Sequence, residues 1–229
     1  MESKNKERLV GVTFDDKNLL IQAFTHRSYI NENRGTKLRH NERLEFLGDA
    51  VLELVTTEFL YEKFPNRNEG ELTAIRAALV NTITISEVSS ELGFNDELLL
   101  SKGEAKDLGR ARQAILANTF EAVIGAIYLD QGYESAKIFI SKNLLPRTEN
   151  IIENSLWVDA KSKFQEKAQE FTGVTPAYQT LEETGPDHDK HFKVGVFIAD
   201  SLVASGSGKS KQDAEQESAR NGLKIKKWL

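Results

Sequence analysis

Residues Asn41 to Leu52 read Asn-Glu-Arg-Leu-Glu-Phe-Leu-Gly-Asp-Ala-Val-Leu, and the spacing within this stretch decides the fold. Wound as a helix, it puts Glu42, Glu45 and Asp49 at i, i+3 and i+7, so the three carboxylates share one face. Leu44, Leu47, Val51 and Leu52 take the complementary apolar spacing and face a core. Stacked acids repel one another and weaken a helix by a few tenths of a kcal/mol per pair. A cation among them removes that repulsion, and oxygen-only ligands suit Mg2+ or Mn2+. For an arbitrary helix, a solvated acidic face is the simpler account. Two features oppose it: Arg43 is the only basic residue in the run, and Gly48 sits mid-helix, where glycine costs about 1 kcal/mol against alanine. A glycine at that position points to close approach by another helix or a ligand.

Before this helix, residues 5 to 29 suggest two short helices with Leu19, Leu20, Ala23 and Phe24 apolar, closed by Thr25-His26-Arg27-Ser28-Tyr29. His26 has no second histidine at ligand spacing and reads as a structural hydrogen-bonding residue. Residues 30 to 40 are polar, with Gly35, and read as a loop. The acidic helix runs from Asn41 to Phe64, where Pro65 stops it. Asn68-Glu69-Gly70-Glu71-Leu72-Thr73 opens the next helix, which continues at helical spacing through Ile75, Leu79, Ile83 and Val88. Acids in its first turn suit the helix dipole. Lys102 to Arg112 is glycine-bearing and leans basic; a plain loop and a phosphate contact both fit it. Ala114 to Leu129 predicts another strong helix, with Asn118 and Glu121 at i and i+3 opposite its apolar side. Residues 133 to 145 add one more, and Pro146 to Ser155 reads as a linker.

From Trp157 the pattern changes. Lys161 to Thr172 is helical, with Phe164, Ala168 and Phe171 on one side and Gln165 and Glu166 on another. Alternation then predicts strands at Tyr178 to Leu181, Phe192 to Ile198 and Leu202 to Ser205. Gly206-Ser207-Gly208-Lys209-Ser210-Lys211 leads into a closing helix. Its spacing is too short for a nucleotide-binding phosphate loop. A helix N-terminus with Lys209, Ser210 and Lys211 clustered at it still suits nucleic-acid phosphates.

At 229 residues the chain has room for two modest domains. A hydrophobic share of 39% and a charged share of 28% describe an ordinary globular chain, with no apolar run long enough to span a membrane. The charged N-terminus does not read as a signal peptide. Zero cysteines exclude disulfides and thiolate metal sites and fit a reducing, cytoplasmic setting. Acids and bases balance from Trp157 onward, so the net charge of −5 lies entirely in the preceding part, where the carboxylate cluster is. The expected division is a helical domain over 1–150, a linker over 151–156 and a small α+β domain over 157–229.

Glu42 to Val51 resembles the signature of the ribonuclease III family, a contiguous match of rare type. Thr25 to Tyr29, Glu69 to Ala77 and Ile115 to Gly125 resemble further elements of the same family, and 157–229 resembles its double-stranded RNA-binding domain. One position departs: the family typically has Asp where this chain has Asn118. An amide oxygen still coordinates a hard cation but brings no charge. In the second domain, Gln212 stands where the family usually has a further Lys.

The resemblance implies an all-α endonuclease domain followed by an α-β-β-β-α RNA-binding domain. Glu45, Asp49, Asn118 and Glu121 would hold Mg2+, with Mn2+ able to substitute, and Asp49 and Glu121 would be catalytic. Glu42 and Glu69 would support the site. Gln165, Glu166, His188, Lys209, Ser210 and Lys211 would contact RNA, and Phe46 would seat in the partner of a homodimer. The implied reaction is cleavage of double-stranded RNA to 5′-phosphate and 3′-hydroxyl ends with two-nucleotide 3′ overhangs, in rRNA and mRNA processing. A non-catalytic RNA-binding or ribosome-associated protein that keeps the fold is the alternative, favoured by Asn118. A carboxylate di-iron bundle needs Glu-x-x-His pairs, which are absent. A histidine–aspartate phosphohydrolase fails for the same lack of histidine, and His188 with His191 in a loop is too little for a metal site.

Overall fold

The computed structural model describes residues 2–106, 109–186 and 190–228. The chain divides into two compact units, residues 1–154 and 155–229.

In the first unit, α1 (Glu2–Val10), α2 (Lys17–Ala23) and α3 (Arg27–Glu32) precede the acidic helix. These are three helices where periodicity predicts two. The extra boundary comes from side-chain caps: Asp16 accepts from the Asn18 N–H, and His26 accepts from the Ser28 N–H. His26 is thus a structural residue, with its Nδ1 2.8 Å from the Ser28 hydroxyl. The acidic helix is α4 (Glu42–Lys63), which ends at Phe64 because Pro65 follows.

α5 (Glu69–Leu79) opens with a capping box, in which Asn68 and Glu71 each accept the other's backbone N–H. The helix expected to continue through Val88 stops at Val80, and Asn81 caps a separate α6 (Thr82–Glu91) by accepting from the Thr84 N–H. Ile83, read as part of the apolar stripe, is 57% exposed as a result. α7 (Arg110–Asn143) joins the two helices expected over 114–129 and 133–145, with a kink at Gly132, where φ is 80°. Leu129 lies on its outer side, exposed.

The linker expected over 151–156 begins inside α8 (Arg147–Glu153). Thr148 and Ile151 are buried, and Arg147 pairs with Glu87 and Glu91 on α6. A polar sequence therefore hides a docked helix, because two buried side chains and one ion-paired arginine suffice to hold so short an element.

The core lies between α4 and α7. Leu44, Val51, Leu52 and Val55 meet Phe120, Val123, Ile124 and Ile127. Each such side chain, fully buried, contributes about 1.5–3 kcal/mol. Phe24, Phe94, Phe120 and Phe139 form a chain of aromatic contacts with centroids 5.0, 6.5 and 5.4 Å apart.

In the second unit, α9 (Ala160–Thr172) and α10 (Lys211–Lys226) cover one face of an antiparallel sheet ordered β1 (Ala177–Thr184), β2 (His191–Ile198), β3 (Ser201–Gly208). Phe164, Ala168, Val196, Ala204, Ala219 and Leu223 form its core. Gly206 to Gly208, read as the lead into the closing helix, complete β3 instead. Helix α10 lies directly on that strand: a Cβ at Gly206 would stand 2.2 Å from the Ser218 nitrogen. A helical first unit followed by helix, three strands and helix is the fold class read from the sequence.

Candidate active site

Helices α4 and α7 touch at their backbones. A Cβ at Gly48 would lie 1.7 Å from the backbone oxygen of Glu121, and one at Gly125 would lie 2.2 Å from that of Leu44. No side chain fits at either point, so the two glycines set how closely the helices cross. Glu45 and Asp49 flank Gly48 on α4, and Glu121 stands one turn before Gly125 on α7. The crossing therefore brings carboxylates from two helices to one place.

Their charges act on one another. Burial first, then Asp49, then Glu45, push Glu121 up to about 8. Burial also raises Glu45, helped by Glu42 and then Asp49. Both shifts disfavour the charged form, and a cation among the carboxylates would relieve them. Asn118 sits half-buried one turn before Glu121 on the same helix. Three carboxylates and one amide oxygen make a donor set for a hard divalent ion. Among the described residues, no three His, Asp or Glu side chains already close around an empty point. The residue types fit such an ion in their donor chemistry.

Glu42, one turn before Glu45, acts on that carboxylate more strongly than Asp49 does and also meets two nitrogen-bearing side chains. Its Oε1 lies 3.3 Å from Arg27 Nη1, and its Oε2 lies 3.7 Å from His40 Nδ1. Sequence spacing offered no signal for either partner. Glu69, exposed in the first turn of α5, lines an open groove with Leu60, Tyr61, Leu72 and Arg76. It is not among the charges that shift Glu121. Arg76 fastens α5 to α4, with its Nε 2.8 Å from Glu53 and its Nη1 donating to the Thr57 hydroxyl at 2.9 Å. Phe46 is 82% exposed, on the side of α4 away from the core.

In the second unit, Gln165 and Glu166 are exposed on α9 and line a shallow groove with Ser162 and Gln169. Lys209 and Lys211 are exposed at the start of α10, where Lys211 Nζ stands 5.7 Å from the Phe192 ring. The Ser210 hydroxyl accepts from the Asp213 N–H at 3.1 Å and lies 2.6 Å from the Asp213 carboxylate, so its first task is capping. His188 lies outside the described residues.

Residues 16–148 match the Ribonuclease-III-like family, and residues 160–226 match the double-stranded RNA binding motif. The chain belongs to the ribonuclease III family. Its similarity to Ribonuclease 3 of Bdellovibrio bacteriovorus is 44% identity over 97% of this chain and 95% of that protein. Ribonuclease 3 of Bacillus cereus is 46% identical over 94% of this chain and 87% of that protein. Among solved structures, the nuclease domain of ribonuclease III from Campylobacter jejuni, described for flexibility in a region involved in dimer formation, aligns with a TM-score of 0.55. That match is 43% identical and covers 62% of this chain and 98% of that one. As a ribonuclease III family member, the chain carries its carboxylate cluster in the family-matched segment and its exposed Lys209 and Lys211 in the RNA-binding segment. No helix among the described residues is long and apolar enough to cross a membrane.

Proposed function

We propose that this chain is an endoribonuclease that cuts double-stranded RNA with the help of divalent cations. The observation that carries this is the α4–α7 crossing, which gathers Glu45, Asp49 and Glu121 where burial and mutual repulsion lift Glu121 to about 8. A scaffold has no use for such a cluster. Glu45, Asp49, Asn118 and Glu121 are assigned to the principal ion, Mg2+ or in its place Mn2+, with Asp49 and Glu121 closest to the chemistry. Glu42 and Glu69 are assigned supporting roles. When bound, divalent ions supply a hydroxide nucleophile at neutral pH and neutralise charge on the leaving 3′-oxygen. The products are a 5′-phosphate and a 3′-hydroxyl.

The second unit selects the substrate. Gln165 and Glu166 on α9, His188, and the Lys209–Lys211 cluster suit the 2′-hydroxyls and phosphates of A-form RNA, read by shape rather than sequence. A homodimer is assigned with the exposed Phe46 ring at its seam, in keeping with the region involved in dimer formation described for the Campylobacter jejuni nuclease domain. Two sites, one per strand, would leave two-nucleotide 3′ overhangs. This activity suits processing of rRNA and mRNA precursors, and the cysteine-free composition is compatible with the cytoplasm.

Incubating a long RNA duplex with and without Mg2+ tests the reading. Mg2+-dependent cutting to 5′-phosphorylated ends is expected. Tight duplex binding with no cutting under either condition would favour a non-catalytic RNA-binding protein, the reading to which Asn118 lends weight.

A further inference from the structure

Glu42 belongs to the acidic face of α4 and adds to the charge that raises Glu45, yet both its oxygens are turned to basic side chains. Arg27, on α3, is 65% exposed at the side chain, and Glu42 is 46% exposed. An ion pair so open to water contributes little to stability. Its geometry is nevertheless prepared by backbone bonds on both sides. The His26 N–H donates to the Leu99 carbonyl at 3.0 Å, and the Ser28 hydroxyl accepts the Ser101 N–H at 3.0 Å. The Glu32 carboxylate accepts the Lys102 N–H at 2.8 Å, so α3 is held along its length. At the start of α4, the Asn41 N–H donates to the Thr25 carbonyl at 2.9 Å, and its side-chain amide donates to the Ala23 carbonyl at 3.1 Å. Arg27 and Glu42 are thus brought face to face by the fold and not by their own attraction.

We propose that Arg27 is a positioning residue of the active site, one that competes with a cation at the Glu45–Asp49–Glu121 cluster for the Glu42 carboxylate and so sets how much divalent cation the site demands. This rests on the metal-dependent reading above. A cation entering the cluster competes with the guanidinium for Glu42. While Arg27 faces it, part of the Glu42 charge is offset. Releasing Glu42 adds a negative donor at the rim, and cation affinity rises.

The test is Mn2+ binding to the full chain without RNA, followed by the electron paramagnetic resonance signal of free Mn2+. Arg27→Ala should bind Mn2+ roughly twofold to fivefold more tightly than the parent, and Arg27→Lys, which keeps the charge, should stay nearer the parent. Glu42→Gln should weaken binding. The deciding variant combines Arg27→Ala with Glu42→Gln: the gain from losing Arg27 should vanish there, because its route runs through Glu42. A gain of equal size in the combined variant would mean Arg27 acts only as a distant charge, which overturns the proposal. Unchanged Mn2+ affinity in Arg27→Ala overturns it as well. Arg27→Gln is read in the same way if the alanine variant does not fold. A parent protein that binds no Mn2+ defeats the metal-dependent reading along with this one, whereas a parent that binds but ignores Arg27 defeats this one alone.

Discussion

The backbone oxygen of Glu121 occupies the place where a side chain on Gly48 would begin, with only 1.7 Å between it and an ideal Cβ. The same glycine that shapes the helix crossing therefore sets the separation of the carboxylates on either side of it.

Gly48→Ala forces α4 and α7 apart at this point. Overpacking of this kind costs about 1–3 kcal/mol, and a clash with backbone, which cannot rotate away, belongs at the upper end. Chemical denaturation should show that loss. Cleavage should fall further than the loss of folded protein accounts for, since Glu45 and Asp49 move relative to Glu121. Parent-like stability together with parent-like cleavage would refute the close crossing.

The raised Glu121 makes stability depend on pH in a definite direction. Unfolded, the carboxyl loses its proton near 4.5; folded and without cation, it keeps the proton up to about 8. Between those values the folded state binds more protons than the unfolded state, so stability falls as pH rises through the window. In metal chelator, Glu121→Gln should be more stable than the parent at pH 8, on the order of 1–3 kcal/mol, with the advantage gone at pH 4. Urea midpoints at several pH values check this. A constant difference across the window would place Glu121 in solvent.

Asn118 supplies an amide where a carboxylate would add charge. One negative charge fewer beside a divalent ion should weaken its binding by roughly 1–3 kcal/mol at an effective dielectric near 20. Asn118→Asp should therefore cut RNA at a lower half-saturating Mg2+ than the parent, and Mn2+ should narrow the gap. Equal Mg2+ requirements for the two proteins would contradict the electrostatic argument.

Binding and chemistry should separate by unit. Glu121→Gln leaves Lys209 and Lys211 untouched, so it should retain duplex RNA in a gel shift while losing cleavage. Lys209→Ala with Lys211→Ala should bind more weakly, with a salt slope reduced by up to about 2, and still cut at low salt. Equal loss of binding in both would show that the two units do not divide the work in this way.

Phe46 gives a test of assembly. Phe46→Glu leaves the core intact, because the ring is already exposed, but places a charge on any surface that meets it. Sedimentation should shift from dimer to monomer. A dimer of unchanged mass would move the interface elsewhere.

Helical periodicity made the acidic face of α4 and the apolar stripe beneath it legible without coordinates, and the misfit of Gly48 already called for a close neighbour. The helix opening at Asn68 and the three strands after Trp157 were equally readable, because each depends on residues within a few positions of one another. Periodicity failed where one stripe runs through two elements. Ile75 to Val88 keeps helical spacing across a break that only the Asn81 cap reveals, and the polar run after Pro146 conceals α8, which is held by Thr148, Ile151 and Arg147. What met Gly48, how far burial would raise Glu121, and that Glu42 would face Arg27 were decided by tertiary structure alone. Those relations join residues far apart in the chain, and their energies come from excluded volume and desolvation, which exist only once distant segments have closed on one another.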